Sequence, residues 1–295
     1  MNYKNIFIVS VLVIGIISAF ILMPKSIGNT GKIIAKSMPT NPENREEIKT
    51  LRIAGSTTVL PIAQKAAEKY MKEYSNVNIE ISGGGSSVGI KSVGEGTADI
   101  GTASRSAKPG EIERYGLVDH VIAKDGIAII VHPTNPIKSL TGEQIKKIYD
   151  GTYSNWKELN GPDMEIVIVN RDSNSGTREF FQNHVMNKED FRNDAKIIEK
   201  NSNGAVKQTV SQIPASIGYV GLGYVDNSVK ALKINVNENL IEPTIDNVKN
   251  GIYPISRSLH MYTKTKATGI AKDFIDFILS SEGQEIVTEE NFVSL

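Results

Sequence analysis

Cysteine is absent from the chain of 295 residues, and tryptophan occurs only once, at Trp156. The absence of cysteine excludes disulfides, thiolate metal sites and an anchor built on a lipid-modified cysteine. A charge imbalance is also lacking, because 33 basic and 33 acidic residues cancel and neither sign forms a long run. This balance gives no support to a polyanionic partner, so we expect no contact with nucleic acid.

Motifs of common catalytic and cofactor sites are missing as well. The four histidines lie far apart in the sequence, without the spacing of metal ligands or of a serine–histidine pair. The stretch SGGGSSVGI, Ser82 to Ile90, lacks both the Gly-Lys-Ser/Thr of a Walker loop and the dinucleotide fingerprint. We therefore expect no metal, no cofactor and no catalytic residue. Taken alone, this stretch still fits a linker as well as a small-anion pocket.

The N-terminus carries the longest uncharged run of the sequence. Lys4 precedes eighteen uncharged residues, Ile6 to Met23, which Pro24 and Lys25 close. This length is at the lower limit for spanning a bilayer, so residues 1–25 form either a cleaved secretory signal or a retained anchor. No small-x-small cleavage site follows closely, which favours the anchor. Residues 26–50 are polar and irregular and are predicted to be a flexible tether. The protein is therefore expected to be exported.

From Leu51 onward, short apolar runs alternate with amphipathic stretches. LRIAG, the segment Val59 to Tyr74 and VNIEI read as strand, helix and strand. Wholly apolar runs such as GIAIIV, Gly126 to Val131, are typical of strands covered on both faces. The pattern predicts an α/β fold. About 245 residues is generous for one such sheet, so two lobes are expected.

Four strand-to-helix junctions are rich in glycine, serine and threonine: GSTTVLP at 55–61, the stretch at 82–90, GTASRSA at 101–107 and RDSNSGTREFF at 171–181. A helix start exposes unpaired N–H groups and is a ready site for an anion. A single hydroxyl before a helix is usually only a cap. Here each loop offers two or three hydroxyls, and two loops add Arg105 and Arg171, whose guanidinium groups donate paired hydrogen bonds to oxyanions. Donors converging on one small anion is the simplest explanation.

The set and order of these motifs resembles the phosphate-binding proteins of phosphate ABC importers, which have the type II periplasmic-binding-protein fold. LTGEQIKKIYDGTYSNW, SNGAVKQTVSQIPASIGYVGLGYV and YPISRSLHMYT extend the resemblance over Leu51 to Leu295. It implies two lobes built on two mixed or mostly parallel sheets flanked by helices, with a hinge of two crossovers. Lobe 1 would comprise residues 51–129 and 255–295, and lobe 2 residues 130–254.

The resemblance also implies which residues bind the ligand. They are the loop residues that match the family's motifs: Ser56, Thr57, Thr58, Ser86, Ser87, Ser104, Arg105, Arg171, Ser175, Gly176 and Thr177. One position departs from part of the family, because Arg105 stands where some members have an aspartate that accepts the proton of hydrogen phosphate. Asp99 and Asp172 are close in sequence and could replace that acceptor.

The implied function is the extracytoplasmic binding of inorganic phosphate between closing lobes, followed by delivery to the permease of an ABC importer whose ATPase is a separate protein. The expected protein is a monomer, tethered to the outer face of the cytoplasmic membrane, or periplasmic or secreted if the N-terminal segment is cleaved. Three alternatives stay open: an anchored phosphate or oxyanion sensor, a receptor for sulfate, arsenate, molybdate or tungstate, and a phosphoester hydrolase with a loop serine as nucleophile.

Overall fold

A computed structural model describes residues 47–194 and 196–295 of the chain. The predicted signal or anchor, and the predicted tether up to residue 46, lie outside the described residues. Among the described residues, no helix combines the length and the hydrophobicity needed to cross a bilayer. The elements in chain order are β1 Lys49–Gly55, α1 Leu60–Glu73, β2 Val77–Gly84, α2 Ser86–Glu95, β3 Ile100–Ala103, α3 Pro109–Tyr115, β4 Leu117–Val131, β5 Ser139–Thr141, α4 Gly142–Tyr149, β6 Val167–Arg171, α5 Gly176–His184, β7 Ile197–Lys200, α6 Asn203–Gln212, β8 Ser216–Gly221, β9 Lys230–Ala231, β10 Lys233–Val236, β11 Asn239–Ile241, α7 Ile245–Lys249, β12 Ser256–Lys264, α8 Gly269–Leu279 and α9 Ser281–Glu289.

The elements follow the apolar pattern of the sequence closely. Helix α1 buries Ile62, Ala63, Ala66, Ala67 and Tyr70, which recur at the spacing of one helix face. Pro61 lies in its first turn, where its missing N–H has no consequence. Strand β1 begins at Lys49, two residues inside the predicted tether, because its first residues pair in register with β2.

A mixed sheet of nine strands forms the centre of the described chain. Its strand order is β2-β1-β3-β12-β4-β8-β6-β7, and β9 pairs with β4. Strands β1, β2 and β3 run parallel, and so do β6, β7 and β8. Strand β12 is antiparallel to both β3 and β4. A small sheet of β11, β10 and β5 lies apart from this path. The predicted α/β class is confirmed.

Strand β4 joins the two halves of the sheet. Its residues from Leu117 to Gly126 pair with β12, and its residues from Ile127 to Val131 pair with β8. The apolar pattern had predicted only the second half of this strand. The first half contains exposed polar residues such as Asp119 and Lys124, which hid it from a pattern based on buried runs. The two predicted sheets are therefore continuous through one long strand.

Each half of the sheet has its own hydrophobic core. Around β1 and the first half of β4, the core includes Ile53, Ile62 and Phe274. Around β6, β8 and the second half of β4, the core includes Trp156 and Phe181. The Trp156 ring is fully buried, and its Nε1–H donates to Ala215 O at 2.8 Å. The two halves of the sheet thus pack against separate clusters of buried side chains.

Candidate functional site

Three of the predicted loops lie at one edge of the sheet. Strand β1 pairs in parallel with both β2 and β3, so the carboxyl ends of these strands share that edge. The loops that follow carry Ser56 to Thr58, Ser86 with Ser87, and Ser104 with Arg105. All of these side chains are buried except Ser87, which is half-buried. The topology thus brings together loop residues that are up to about 50 positions apart in the sequence.

Serine hydroxyls fix the backbone of this edge. The Ser104 N–H donates to Ser86 Oγ at 3.0 Å, and the two hydroxyl oxygens lie 3.3 Å apart. The Thr58 N–H donates to Ser56 Oγ at 3.1 Å, so Ser56 stabilises its own turn. Helix α1 begins at Leu60, one residue later than predicted, and Val59 is its N-cap residue. Thr57 and Thr58 consequently stand ahead of the helix with their hydroxyls directed inward.

The fourth loop comes from the other half of the sheet and lies against the first three. Ser175 caps α5, since its Oγ accepts the Arg178 N–H at 3.2 Å. Within the described chain, the N–H groups of Gly176 and Thr177 have no acceptor, as expected for a first helical turn. Thr177 Oγ1 lies 3.2 Å from Thr58 Oγ1. A Cβ built on Gly176 would lie 2.1 Å from Ser86 Oγ, so only glycine permits this approach.

Arg171 supplies a buried positive charge at the same point. It is the last residue of β6, and only 1% of its surface is exposed. Its NH2 donates to Thr57 Oγ1 at 3.3 Å, while its NH1 has no hydrogen-bond partner among the described residues. Burial lowers the pKa of Arg171, and none of the ion pairs among the described residues involves its guanidinium. A buried guanidinium without a carboxylate requires an anion to offset its desolvation.

Two further residues of the site were missed from the sequence. The buried Asn203, at the start of α6, donates through Nδ2 to Thr57 Oγ1 at 3.2 Å and to Thr58 Oγ1 at 3.0 Å. Its motif SNGA repeats the small-polar pattern of the other loops, and this signal could have identified it. Arg257, inside β12, donates through NH2 to Thr58 Oγ1 at 3.3 Å. Nothing in its local sequence distinguishes it from a surface arginine.

Arg257 is held by a buried carboxylate. Its Nε and NH2 lie 3.1 and 2.8 Å from Asp125 Oδ2, and Asp125 Oδ1 accepts the Leu222 N–H at 2.9 Å. Burial lowers the pKa of Arg257 and raises the pKa of Asp125, although their mutual attraction opposes both shifts. The NH1 of Arg257 has no partner among the described residues. Asp125 therefore forms the ion pair of Arg257, whereas Arg171 takes part in no ion pair among the described residues.

Arg105 differs from the other predicted ligands. Its NH1 donates to Ser106 O at 2.9 Å and to Glu111 Oε2 at 2.8 Å, and its NH2 donates to Glu111 Oε1 at 2.9 Å. Its Nε lies 2.8 Å from Glu179 Oε2, although this N–H is not aligned for a hydrogen bond. Burial opposes the charge, but the hydrogen bond with Glu111 and the charges of both glutamates outweigh it and raise the pKa of Arg105. Protein acceptors surround this guanidinium.

The two aspartates considered as proton acceptors lie in different environments. Asp99 is exposed, and its Oδ2 accepts the Arg52 N–H at 2.8 Å, so its carboxylate is paired with the backbone of strand β1. Asp172 directly follows Arg171, and its Oδ1 is buried without a partner in the described chain. Of the two, Asp172 is the one beside the buried cluster. No group of three His, Cys, Asp or Glu residues suited to a metal ion occurs within residues 47–194 and 196–295.

Comparison with known proteins identifies the class. Residues 40–282 match the family model of the PBP superfamily domain. The phosphate-binding protein PstS of Bacillus subtilis is 35% identical over 281 residues, which cover 94% of this chain and 91% of the relative. PstS of Borreliella burgdorferi is 36% identical over 272 residues, with coverage of 89% and 96%.

Solved structures agree with these relatives. A candidate substrate-binding protein of a phosphate ABC transporter from Clostridium perfringens, solved with bound phosphate, has a TM-score of 0.78 and 41% identity. The match covers 84% of this chain and all of the other. The chain belongs to the PstS family of phosphate-binding proteins. The family resemblance and the fold inferred from the motifs are therefore confirmed, as is the prediction of a binding protein instead of an enzyme.

Proposed function

We propose that the protein is an extracytoplasmic receptor that binds inorganic phosphate and delivers it to the permease of an ABC importer. The observation that carries this proposal is the buried guanidinium of Arg171, which within residues 47–194 and 196–295 has no carboxylate partner and an NH1 without a hydrogen-bond acceptor. Its surroundings are hydroxyl and N–H donors, the groups that replace the water lost by an oxyanion. The relatives named for phosphate binding support phosphate as this anion.

The donors divide into roles. Arg171 contributes charge, and the hydroxyls of Thr57, Thr58 and Thr177 together with the free N–H groups of α5 surround the anion. Ser86 and Ser104 form the opposite wall, and Ser87 stands at its rim. Ser56 and Ser175 act mainly by holding the backbone of their turns. Asn203 and Arg257 extend the set that the sequence predicted, because both donate to the Thr58 hydroxyl.

Two lobes close over this site in our proposal. Lobe 1 comprises residues 51–129 and 255–295, and lobe 2 comprises residues 130–254. The change of partner along β4, between Gly126 and Ile127, supports a crossover near the first boundary. Lobe 1 contributes Thr57, Ser86 and Arg257, and lobe 2 contributes Arg171, Thr177 and Asn203. An anion that contacts both sets would stabilise closure by hinge motion.

The remaining parts of the proposal concern location and partners. Residues 1–25 act as a membrane anchor or an export signal, and residues 26–48 tether the receptor beside its permease. The protein works as a monomer that carries one anion per transport cycle. Delivery to a permease distinguishes it from an anchored sensor, so loss of phosphate uptake on deletion of the protein, in the presence of the permease, would support transport.

Calorimetric titration tests the ligand directly. The full-length protein is titrated with phosphate, and then with sulfate as a competitor, between pH 5 and 8. We expect saturable binding of phosphate with one site per chain and weaker binding of sulfate. Equal displacement by sulfate would identify a general oxyanion receptor, and the absence of phosphate binding would refute the proposal. Release of product from a generic phosphoester would instead indicate a hydrolase.

A further inference from the structure

Arg105, Lys108 and Glu179 form a charged contact between the segment after β3 and helix α5. Glu179 Oε2 lies 2.8 Å from Arg105 Nε, and Glu179 Oε1 lies 3.0 Å from Lys108 Nζ. The side chain of Arg105 is 5% exposed and that of Glu179 is 26% exposed, so solvent screens this contact only in part. Both cations lie in proposed lobe 1, and the carboxylate lies in proposed lobe 2. The contact therefore spans the proposed cleft.

Glu111 fixes the orientation of the Arg105 guanidinium. It accepts from NH1 at 2.8 Å and from NH2 at 2.9 Å, which is the bidentate geometry of a strong arginine–carboxylate pair. Both residues belong to the same segment, so this pair persists whatever α5 does. With NH1 and NH2 occupied by Glu111 and Ser106, the Nε edge remains for a second carboxylate. Glu179 Oε2 lies 2.8 Å from Nε and forms an ion pair there, although the Nε–H is not aligned with it for a hydrogen bond.

We propose that Arg105 is a positioning residue that holds the cleft closed through Glu179, and that it does not contact the anion. This inference rests on the proposed function, because it concerns the closed state that phosphate stabilises. Glu179 lies in the first turn of α5, three residues after Gly176, whose free N–H belongs to the anion site. Docking of this helix start against Ser86 and formation of the ion pair are therefore one movement.

Neighbouring contacts support the ion pairs of Arg105 and Lys108 with Glu179, which together we call the clasp. The Ser87 N–H donates to Asn174 O at 3.2 Å, which joins the same two segments through the backbone. Arg105, Lys108 and Glu179 also line a cavity of about 370 Å³ that includes Phe180 and Arg257. Opening of the clasp would widen this cavity toward the proposed anion site. Formation of the clasp after the anion has entered would slow its escape.

The effect of Glu179→Gln on phosphate affinity distinguishes a clasp from a ligand role of Arg105. Glu179 is a negative charge close to the proposed anion site, so its repulsion disfavours an anion. If Arg105 were a ligand restrained by Glu179, then Glu179→Gln would release the guanidinium and strengthen phosphate binding. If Glu179 serves the clasp, the same substitution weakens binding although no anion donor is lost.

The test is a double-mutant cycle on the full-length protein with phosphate as the probe. Arg105→Gln, Glu179→Gln and the double variant are compared with the unaltered protein by equilibrium titration and stopped-flow kinetics. We expect each single variant to bind phosphate about tenfold more weakly, mainly through faster dissociation. The double variant should be no weaker than either single one, because both remove the same contact. Lys108→Gln should give a smaller loss in the same direction.

The exposed Glu113, on α3, supplies the matched control. Glu113→Gln removes an equal charge outside the clasp and should leave both rate constants unchanged. Thermal unfolding without phosphate verifies that each variant is folded. Unchanged or tighter binding by Glu179→Gln, or additive losses in the double variant, would overturn the clasp while leaving phosphate binding intact. Failure of the unaltered protein to bind phosphate would instead refute the proposed function, and the clasp with it.

Discussion

At the scale of single residues, the decisive feature is how each buried arginine is compensated. Arg257 has Asp125, and Arg105 has Glu111 and Glu179. In the part of the chain that the structure describes, the Arg171 guanidinium donates only to the neutral acceptors Thr57 Oγ1, Lys200 O and Asn201 O. An arginine remains charged in proteins, so its burial without a carboxylate is costly until an anion arrives. The anion site is thus centred on Arg171.

Replacing Arg171 should abolish most of the binding. Arg171→Ala removes a buried, charge-assisted donor, and the expected loss of phosphate binding free energy is about 2–5 kcal/mol. Calorimetry measures this loss. The matched control is Arg52→Ala on β1, whose side chain is 63% exposed. An affinity of Arg171→Ala within threefold of the unaltered protein would contradict the assignment.

Replacing Thr57 should have a smaller effect. Thr57→Val keeps the shape of the side chain but removes the hydroxyl that contacts Arg171 and Asn203. We expect phosphate binding to weaken by about 0.5–1.5 kcal/mol, the usual contribution of one hydrogen bond, with the fold unchanged. Thermal unfolding checks the fold and titration checks the affinity. A loss as large as that of Arg171→Ala would mean that Thr57 also organises the site.

At the scale of elements, the start of helix α5 must approach Ser86 closely. The space for a side chain at Gly176 is already occupied by the serine hydroxyl. This contact joins the two halves of the sheet, so a bulkier residue would hinder their approach without disturbing either core. The helix itself would tolerate the change, because alanine is a better helix former than glycine.

Gly176→Ala should therefore weaken phosphate binding more than it destabilises the fold. Overpacking costs about 1–3 kcal/mol, which we expect to appear in the binding free energy. Gly204→Ala is the matched control, since Gly204 also lies in a first helical turn and a Cβ there meets nothing within 4 Å. Equal effects of both substitutions on affinity would show that the approach to Ser86 is unimportant.

The sequence predicted those parts of the site that local motifs encode. Ser175, Gly176 and Thr177 follow one another at a helix start, so their free N–H groups could be inferred from helix geometry. Arg257 could not be found, because its role depends on the pairing of β12 with β4, which places it beside Asp125. The partners of Arg105 were also invisible, because Glu179 comes from an element 74 positions away. The local motifs could be identified from the sequence, whereas the ion pairs between distant elements could not.

At the scale of the whole molecule, one shared strand connects two cores. Strand β4 belongs to both halves of the sheet, and β12 pairs with its first half only. Strand pairing holds each half of the sheet together. Contacts between the two halves, such as that of Thr58 with Thr177, depend on how closely the halves approach each other. The apolar runs of the sequence predicted the α/β fold. The continuity of the sheet through β4 was visible only in the structure.

Closure should be visible in solution. If phosphate bridges the proposed lobes, its addition should reduce the radius of gyration measured by small-angle X-ray scattering, because the open state is less compact. Arg171→Ala should show no reduction at the same phosphate concentration. An unchanged radius of gyration in the unaltered protein, under conditions where calorimetry shows saturation, would argue against a hinge.

A crystal structure of the protein grown with phosphate, in the absence of sulfate, is the most direct test of the site. We predict one anion within hydrogen-bond distance of the Arg171 guanidinium, the Thr57 hydroxyl and the N–H groups of Gly176 and Thr177. Arg105 should remain paired with Glu111 and Glu179 in that structure. An anion bound away from Arg171 would contradict the central assignment.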